Sequence, residues 1–328
     1  MFTDRRQFLG LATGSAILSL SGVPAYSQAS ATVKVLSGYP PGGTTDTVAR
    51  RVSERMRLSY AKGIVVETKT GAAGQIAITA LKAAPPDGTT LLVTPMASLA
   101  IYPHTYKKLG YDPVADLTPV SLACTFESAL GVGPAVPGTV RTVTDFLTWC
   151  KQNPTLANCA SPSAGAPQHF MIELMSRMAG FEIKHVPYRG SQPAILDMIG
   201  GQVSAVSAPV GEFLQHIASG RVRLLATSSS ARSRFSPSVP TFAELGHQGF
   251  VFNEWFGFYL PARATEDIVT KVGDSIRAAL ALPDVIEGLA NIGLTAKPSS
   301  PQELATLLRN DLNQWGPVVK SIGFSAES

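Results

Sequence analysis

Tyr39-Pro40-Pro41-Gly42-Gly43-Thr44-Thr45-Asp46 follows the apolar run Val33–Leu36 and precedes Val48, Ala49, Val52 and Met56, which share one helical face. The order is strand, glycine turn, helix. Two more stretches have the same grammar. Gly71-Ala72-Ala73-Gly74-Gln75 follows Ile64-Val65-Val66, and Ser161-Pro162-Ser163-Ala164-Gly165-Ala166-Pro167-Gln168-His169 lies in mid-chain. Glycine lets a backbone approach a ligand closely. A helix start presents unpaired N–H groups and partial positive charge. Several such starts meeting at one point would hold an anion without lysine or arginine. That arrangement suits a receptor for a small carboxylate better than a catalytic site.

The alternation runs the length of the chain. Val33–Leu36, Ile64–Val66, Leu91–Thr94, Leu130–Val132, Ile183–Val186, Ser204–Val206 and Leu224–Thr227 read as strands. Ile76, Ala77, Ala80, Leu81 and Ala84 mark one further helix face, and Phe170, Leu174, Met175 and Met178 another. This predicts an α/β fold of mixed, mostly parallel sheets with helices on both faces, ligands sitting at the carboxyl ends of strands. Pro85-Pro86-Asp87-Gly88 reads as a plain tight turn. The chain changes character near Phe126–Pro137 and again near the Ser-, Pro- and Arg-rich stretch Arg232–Pro240. Two crossings predict a first domain of residues 30–127 and 232–328, with residues 128–231 inserted as a second. The cleft between them is the expected site. Thr265 to Phe324 reads as helical, broken at Pro283 and Lys297–Pro301.

Residues 1–29 read as an export signal. Asp4-Arg5-Arg6-Gln7-Phe8-Leu9 is a twin-arginine pattern, an apolar stretch runs from Leu9 to Val23, and Ala25-Tyr26-Ser27 and Ser27-Gln28-Ala29 are small-x-small cleavage sites. Asp4 and Gly10 depart from the usual Ser and Lys, so the general secretory route stays open. An exported, periplasmic monomer is expected. Removing Asp4, Arg5 and Arg6 from 27 basic and 23 acidic residues leaves a net charge of +3, without a Lys/Arg run. Nucleic acid is not the expected partner. Of three cysteines, Cys150 and Cys159 flank an Asn153-Pro154 turn and are the favoured disulfide; three buried thiols are the alternative. No metal spacing and no cofactor motif appears.

Ser59-x-x-Lys62 and Lys69-Thr70-Gly71 match motifs of penicillin-recognising hydrolases. They lie too close together, no Ser-Asp-Asn accompanies them, and Ser59 ends a helix instead of opening one. There is no Gly-x-Ser-x-Gly elbow and no clustered pair of carboxylates. An enzyme is not expected.

The order of short motifs resembles the Bug family, the periplasmic solute-binding proteins of tripartite tricarboxylate transporters. The matching pieces include the three turns, Ala84-Pro-Pro-Asp-Gly-Thr-Thr-Leu-Leu92, Tyr106-Lys-Lys-Leu-Gly-Tyr-Asp-Pro113, His185-Val-Pro-Tyr-Arg-Gly-Ser191, Gly200-Gly-Gln-Val203, Pro240-Thr-Phe-Ala-Glu-Leu-Gly246 and Trp255-Phe-Gly257. The resemblance implies a type II periplasmic binding protein, two α/β domains closing on a carboxylate like a flytrap. It places Tyr39, Gly42, Gly43, Thr44 and Asp46 on a first ligand loop and Gly74 and Gln75 on a second. Thr94, Ala97 and Ser98 follow the third strand. Gly165, Ala166, Gln168 and His169 face them from the other domain, with Tyr188, Arg189 and Gly190 beyond. Asp46 is more simply a helix-capping residue than a ligand contact. His169 reads as a pocket contact or a structural hydrogen-bonder, Arg189 as a ligand clamp or a surface ion pair, and Trp255-Phe256 as core or pocket wall. Three positions depart from the family: Ala166 for Ser, Thr68 for Asn, and Ser207-Ala208 where Phe-Asp is usual. Without that Asp an ammonium group lacks a partner, which favours a dicarboxylate or aromatic carboxylate over an amino acid.

The expected function is capture of such a carboxylate and delivery to membrane permease subunits. A sensor feeding a two-component system is the alternative. A negative charge placed in the first turn should be incompatible with an anion there. Gly43→Asp is therefore expected to abolish carboxylate binding by titration calorimetry while leaving the circular dichroism spectrum and melting temperature near wild type, because Asp is itself a good N-cap.

Overall fold

Strand β1 (Val33–Ser37) lies between two parallel neighbours, β2 (Ile64–Thr68) and β3 (Thr90–Pro95). In the computed structural model, which describes residues 32–326, each of the first two strands ends in a glycine turn that starts a helix. The expected signal peptide lies outside the described residues. Helix α1 (Thr44–Met56) buries the stripe Val48, Ala49, Val52 and Met56 anticipated from its period. Helix α2 (Gln75–Lys82) buries Ala77, Ile78 and Leu81.

The first sheet is completed by β4 (Leu117–Phe126), β10 (Glu254–Pro261) and β11 (Thr295–Ala296), in the order β11-β4-β10-β3-β1-β2. The second sheet contains β5 (Ser128–Val132), β6 (Asn158–Ser161), β7 (Lys184–Pro187), β8 (Ala205–Pro209) and β9 (Arg223–Thr227), ordered β7-β6-β8-β5-β9. Pairing is parallel where helices connect the strands, at β1/β2, β1/β3, β6/β7 and β6/β8. It is antiparallel at β10/β3, β10/β4, β11/β4, β5/β8 and β5/β9. The weight expected on parallel pairing thus holds only for helix-connected strands. Strands that arrive from the other sheet run the opposite way, because no crossover helix constrains them.

A single residue, Glu127, separates β4 of one sheet from β5 of the other. The return comes at β10 and not at residue 232. Residues 240–252 still bond to β9 and the residue after it: Thr227 N donates to Pro240 O at 3.0 Å, Phe242 N to Thr227 O at 2.9 Å and Phe252 N to Ser228 O at 2.9 Å. Strands β4, β6, β10 and β11 are the ones the pattern reading passed over. Every residue of β10 is buried, so it lacks the alternation that marks a half-exposed strand.

The C-terminal helices are α8 (Glu266–Leu280), α9 (Pro283–Ala290) and α10 (Pro301–Ile322). Helix α10 spans both lobes. Its Trp315 packs on Phe170 of α5 (Pro167–Ala179) and on Phe252, with ring centroids 5.8 and 5.6 Å apart. Arg177 of α5 donates to Ser321 O at 2.6 Å. Beyond α10, Phe324 packs on His169 and Phe170, while Ala326 N bonds to Thr105 O at 2.8 Å.

The expected Cys150–Cys159 disulfide is not formed. Both residues, like Cys124, are free and fully buried. Cys150 ends the apolar face of α4 (Val143–Gln152) and Cys159 sits in the interior strand β6, both enclosed in the same core. Burial pushes the Cys150 thiol up to about 12 and Cys159 higher still, which suppresses the thiolate that oxidation requires.

Trp255 Nε1 donates to Asp311 Oδ2 at 2.7 Å inside the core. Burial pushes the Asp311 carboxyl up to about 6, and the Trp255 bond pulls it partly back. A carboxyl whose folded value lies above its unfolded one costs stability as pH rises through the interval between them. Relative to Asp311→Asn, wild type should therefore lose on the order of 2 kcal/mol between about pH 4 and 6 in parallel melting series, and a difference that does not change with pH would contradict the shift.

Candidate ligand-binding site

The first two glycine loops are nested into each other. A Cβ on Gly38 would lie 2.7 Å from Gly74 Cα and 2.9 Å from Gly74 O, so only glycine fits. All four residues of Gly71-Ala72-Ala73-Gly74 have positive φ, at 129°, 45°, 54° and 91°. Two left-handed alanines in succession store on the order of 1 kcal/mol each, a cost tolerated where a surrounding structure overdetermines the backbone. That structure is Tyr39. Its hydroxyl donates to Ala73 O at 3.1 Å, lies 3.1 Å from Ser98 Oγ, and its ring covers Gly74. Ser98 belongs to a π-helical turn, Ala97–Ile101, and its carbonyl accepts from Tyr111 Oη. Tyr39, Gly74, Ala97 and Ser98 are therefore brought together as one clasped unit, with Thr94 buried beneath.

Asp46 performs the pinning role. Its Oδ2 accepts from Gly42 N at 3.0 Å and from Arg50 Nε at 2.8 Å, holding the double glycine against the first turn of α1. Gly42 is exposed and Gly43 and Thr44 half-buried above it, with Gly42 at φ 81°.

The helix starts carry no side-chain caps. Gly43 precedes α1, Gly74 precedes α2 and Ala166 precedes α5, and none of the three offers a side-chain acceptor to the first turn. Side-chain capping boxes occur at α4 (Thr142/Asp145) and α10 (Ser300/Glu303), while α6 (Ser191–Ile199), α8 and α9 also start without one; what sets α1, α2 and α5 apart from α8 and α9 is the glycine loop ahead of each. Helix α5 opens with Pro167, which has no N–H to lose. Open first-turn N–H groups beside glycine loops are the donors an anion site needs.

On the second lobe the structure assigns the side chains differently from a simple contact list. Gln168 is buried, and its Nε2 donates to Ser128 Oγ at 2.8 Å and to Glu254 Oε1 at 2.6 Å. His169 uses both ring nitrogens within the protein. Nδ1 accepts from Gly165 N at 3.1 Å, so Nε2 carries the proton and lies 3.3 Å from Glu173 Oε1. Its ring stacks on His185 at 3.9 Å. Burial pushes His169 down to about 4 and His185 to about 3, the latter lowered further by its neighbour, so both are neutral near pH 7. The structural role of His169 is the one observed. Gly165, at φ 76°, and Ala166 form the bend this imidazole holds.

Gln75 opens α2 half-buried beside the clasp. Tyr188 Oη bonds to Asp197 Oδ2 at 2.6 Å, Gly190 precedes α6 (Ser191–Ile199) at φ 108°, and Arg189 is exposed; no hydrogen bond among the described residues joins these three to the first-lobe loops. Ser207 and Ala208 lie fully buried in β8, with Ser207 Oγ on Met171 Sδ at 3.3 Å. Ser59, the serine of the hydrolase-like motif, bonds to Ser275 Oγ at 2.7 Å and has no base beside it.

Sequence reasoning missed Gly38, Ser128, Glu254 and Phe324. Glu254 had one signal, a lone charge within the apolar stretch Phe250–Leu260. Ser128 oxygen donates to Glu254 Oε1 at 2.6 Å, so the crossover, α5 and β10 meet at one carboxyl.

Two α/β lobes joined by paired crossovers, with uncapped helix starts turned to glycine loops, define a periplasmic binding protein. The chain belongs to the tripartite tricarboxylate transporter receptor family, whose model matches residues 48–324. Protein BugT of Bordetella pertussis is 32% identical over 292 residues, 89% of either chain. Among solved structures, the periplasmic binding protein BugD superposes with a TM-score of 0.80 at 27% identity, over 90% of this chain and 99% of that one. Rpa4515 of R. palustris, solved with adipate, gives 0.82 at 28% identity, over 90% and 98%. MatC of Rhodopseudomonas palustris, solved with malate, gives 0.76 at 29% identity, over 88% and 98%. These are solute-binding proteins and not enzymes.

Gly38→Ala should force the two nested loops apart, since the clash is with backbone. Denaturant titration should show a loss of about 1–3 kcal/mol, accompanied by weakened ligand binding; an unchanged midpoint would contradict the nested packing.

Proposed function

We propose that this chain is an exported receptor that captures a small organic carboxylate, a dicarboxylate or aromatic carboxylate, in the cleft between its lobes. It then delivers the ligand to the membrane permease subunits of a tripartite tricarboxylate transporter. The observation that carries this reading is the set of glycine loops that run into uncapped helix starts at Gly43, Gly74 and Ala166, drawn from both lobes. Main-chain donors of this kind accept an anion and are indifferent to what lies behind it. The adipate and malate of the two R. palustris proteins support a ligand of this class. Ser207 and Ala208 present no charge, which agrees with a ligand lacking an ammonium group.

The lobes of this reading are residues 32–127 with 254–326, and residues 128–253, and the protein works as a monomer. Ligand bridging both lobes favours the closed population in proportion to its preference for that state. No helix among the described residues is long and apolar enough to cross a membrane. Membrane contact is therefore assigned to the permease.

A thermal-shift screen of the signal-free protein, refolded to strip carried ligand, tests the assignment. Ligand at a hundred times its Kd should add about 2.7 kcal/mol of stability. Shifts are expected with dicarboxylates and aromatic carboxylates, and none with sugars. A panel without any carboxylate response would sink the reading.

A further inference from the structure

The carboxyl of Glu254 lies where the lobes meet, and no salt bridge among the described residues involves it. Glu254 opens β10 of the first sheet. Its Oε1 accepts from two donors of the second lobe, Ser128 Oγ and Gln168 Nε2, each at 2.6 Å. Oε2 has no protein partner among the described residues, and only 6% of the residue is exposed. With both donors on Oε1, Oε2 is the oxygen left to carry the proton when the acid is neutral. The negative charge this group would carry acts on the Tyr39 hydroxyl, whose pKa it helps to raise. Glu254 thus lies between the clasped first-lobe loops and the uncapped start of α5.

The titratable groups on the elements packed against Glu254 are Tyr39 of the first loop, neutral His169 next to Gln168, Cys124 of β4 opposite Phe256, Glu127 next to Ser128 and Asp311 of α10 bonded to Trp255, and none of them is a cation. A buried carboxylate with neutral donors on one oxygen only is costly in its charged form. Burial pushes Glu254 up to about 7 even though Ser128 and Gln168 pull in the other direction.

We propose that Glu254 is a ligand contact of this cleft that acts as a neutral acid, donating a hydrogen bond from Oε2 to one carboxylate of a dicarboxylate ligand. This rests on the receptor reading above. The second carboxylate of the ligand goes to the main-chain donors of the helix starts. The proton stays on Glu254 while the ligand is bound, so above about pH 7 the free protein takes up one proton with each ligand. Glu254 thereby replaces the missing acid at 207–208 with a group of opposite preference: ionised, it would hold an ammonium; neutral, it holds a carboxylate.

The test is titration calorimetry of the refolded, signal-free protein between pH 5.5 and 9, with malate, succinate, adipate and phthalate, and with hexanoate as the monocarboxylate match for adipate. Buffers of different ionisation heat report the proton. Dicarboxylate affinity is expected to fall up to tenfold per pH unit above about 7, with one proton taken up, while hexanoate binding shows neither effect. Glu254→Gln, which keeps a neutral donor, should bind dicarboxylates with an affinity that no longer follows pH. Glu254→Leu, which has no donor, should lose about tenfold or more. Melting curves of both variants establish that they fold. A pH-independent wild-type affinity, or glutamate binding that tightens as pH rises and vanishes in Glu254→Gln, would overturn the proposal and leave the receptor reading standing. Absence of any carboxylate binding to wild type at every pH would overturn both.

Discussion

A site built from main-chain N–H groups must leave those groups unpaired, and this constraint governs the rest of the structure. A cap on α1, α2 or α5 would stabilise the helix by about 1 kcal/mol and occupy the donors. The chain does without, and holds the loops by other means. Asp46 reaches back to Gly42, Tyr39 ties the second loop to Ser98, and His169 holds Gly165. Each tie uses a side chain that could otherwise face a ligand. Residues of the right chemistry at the right loop thus serve the site from behind.

The second requirement is that the lobes stay linked yet separable. The chain passes between sheets at Glu127 and again just before Glu254, and α10 lies across both. Trp315 and Phe324 pack on α5 while Ala326 bonds to the first lobe. The start of α5 is therefore framed by the C-terminal segment on one side and by Ser128, Gln168 and Glu254 on the other. A ligand bridging the lobes competes on a stage where polar groups of both already meet.

The polar groups here are neutral. His169, His185 and the three thiols are all pushed toward their uncharged forms by burial, as is Glu254. Charge in this cleft is brought by the ligand, and a low-dielectric setting without competing ions strengthens every hydrogen bond that receives it.

Strand–helix alternation, the three glycine turns and the stripe Val48, Ala49, Val52, Met56 were legible because period and backbone conformation are local properties. The pinning by Asp46 was equally local, four residues from its partner. The strand β10 was not legible, since full burial erases the alternation that reveals a strand; β4 and β6, largely buried, lack a clear alternation too. The Cys150–Cys159 pairing, expected from nearness in sequence, is not formed although both thiols enter the same core. Gly38 against Gly74, Tyr39 against Ser98 and Gln168 against Glu254 join residues 36 to 86 positions apart. The sequence by itself determined that glycine turns lead into helix starts at these three places, because glycine and helix starts carry their properties wherever they occur. Only the tertiary structure decided which side chains hold the loops, because that depends on what the fold sets beside each one.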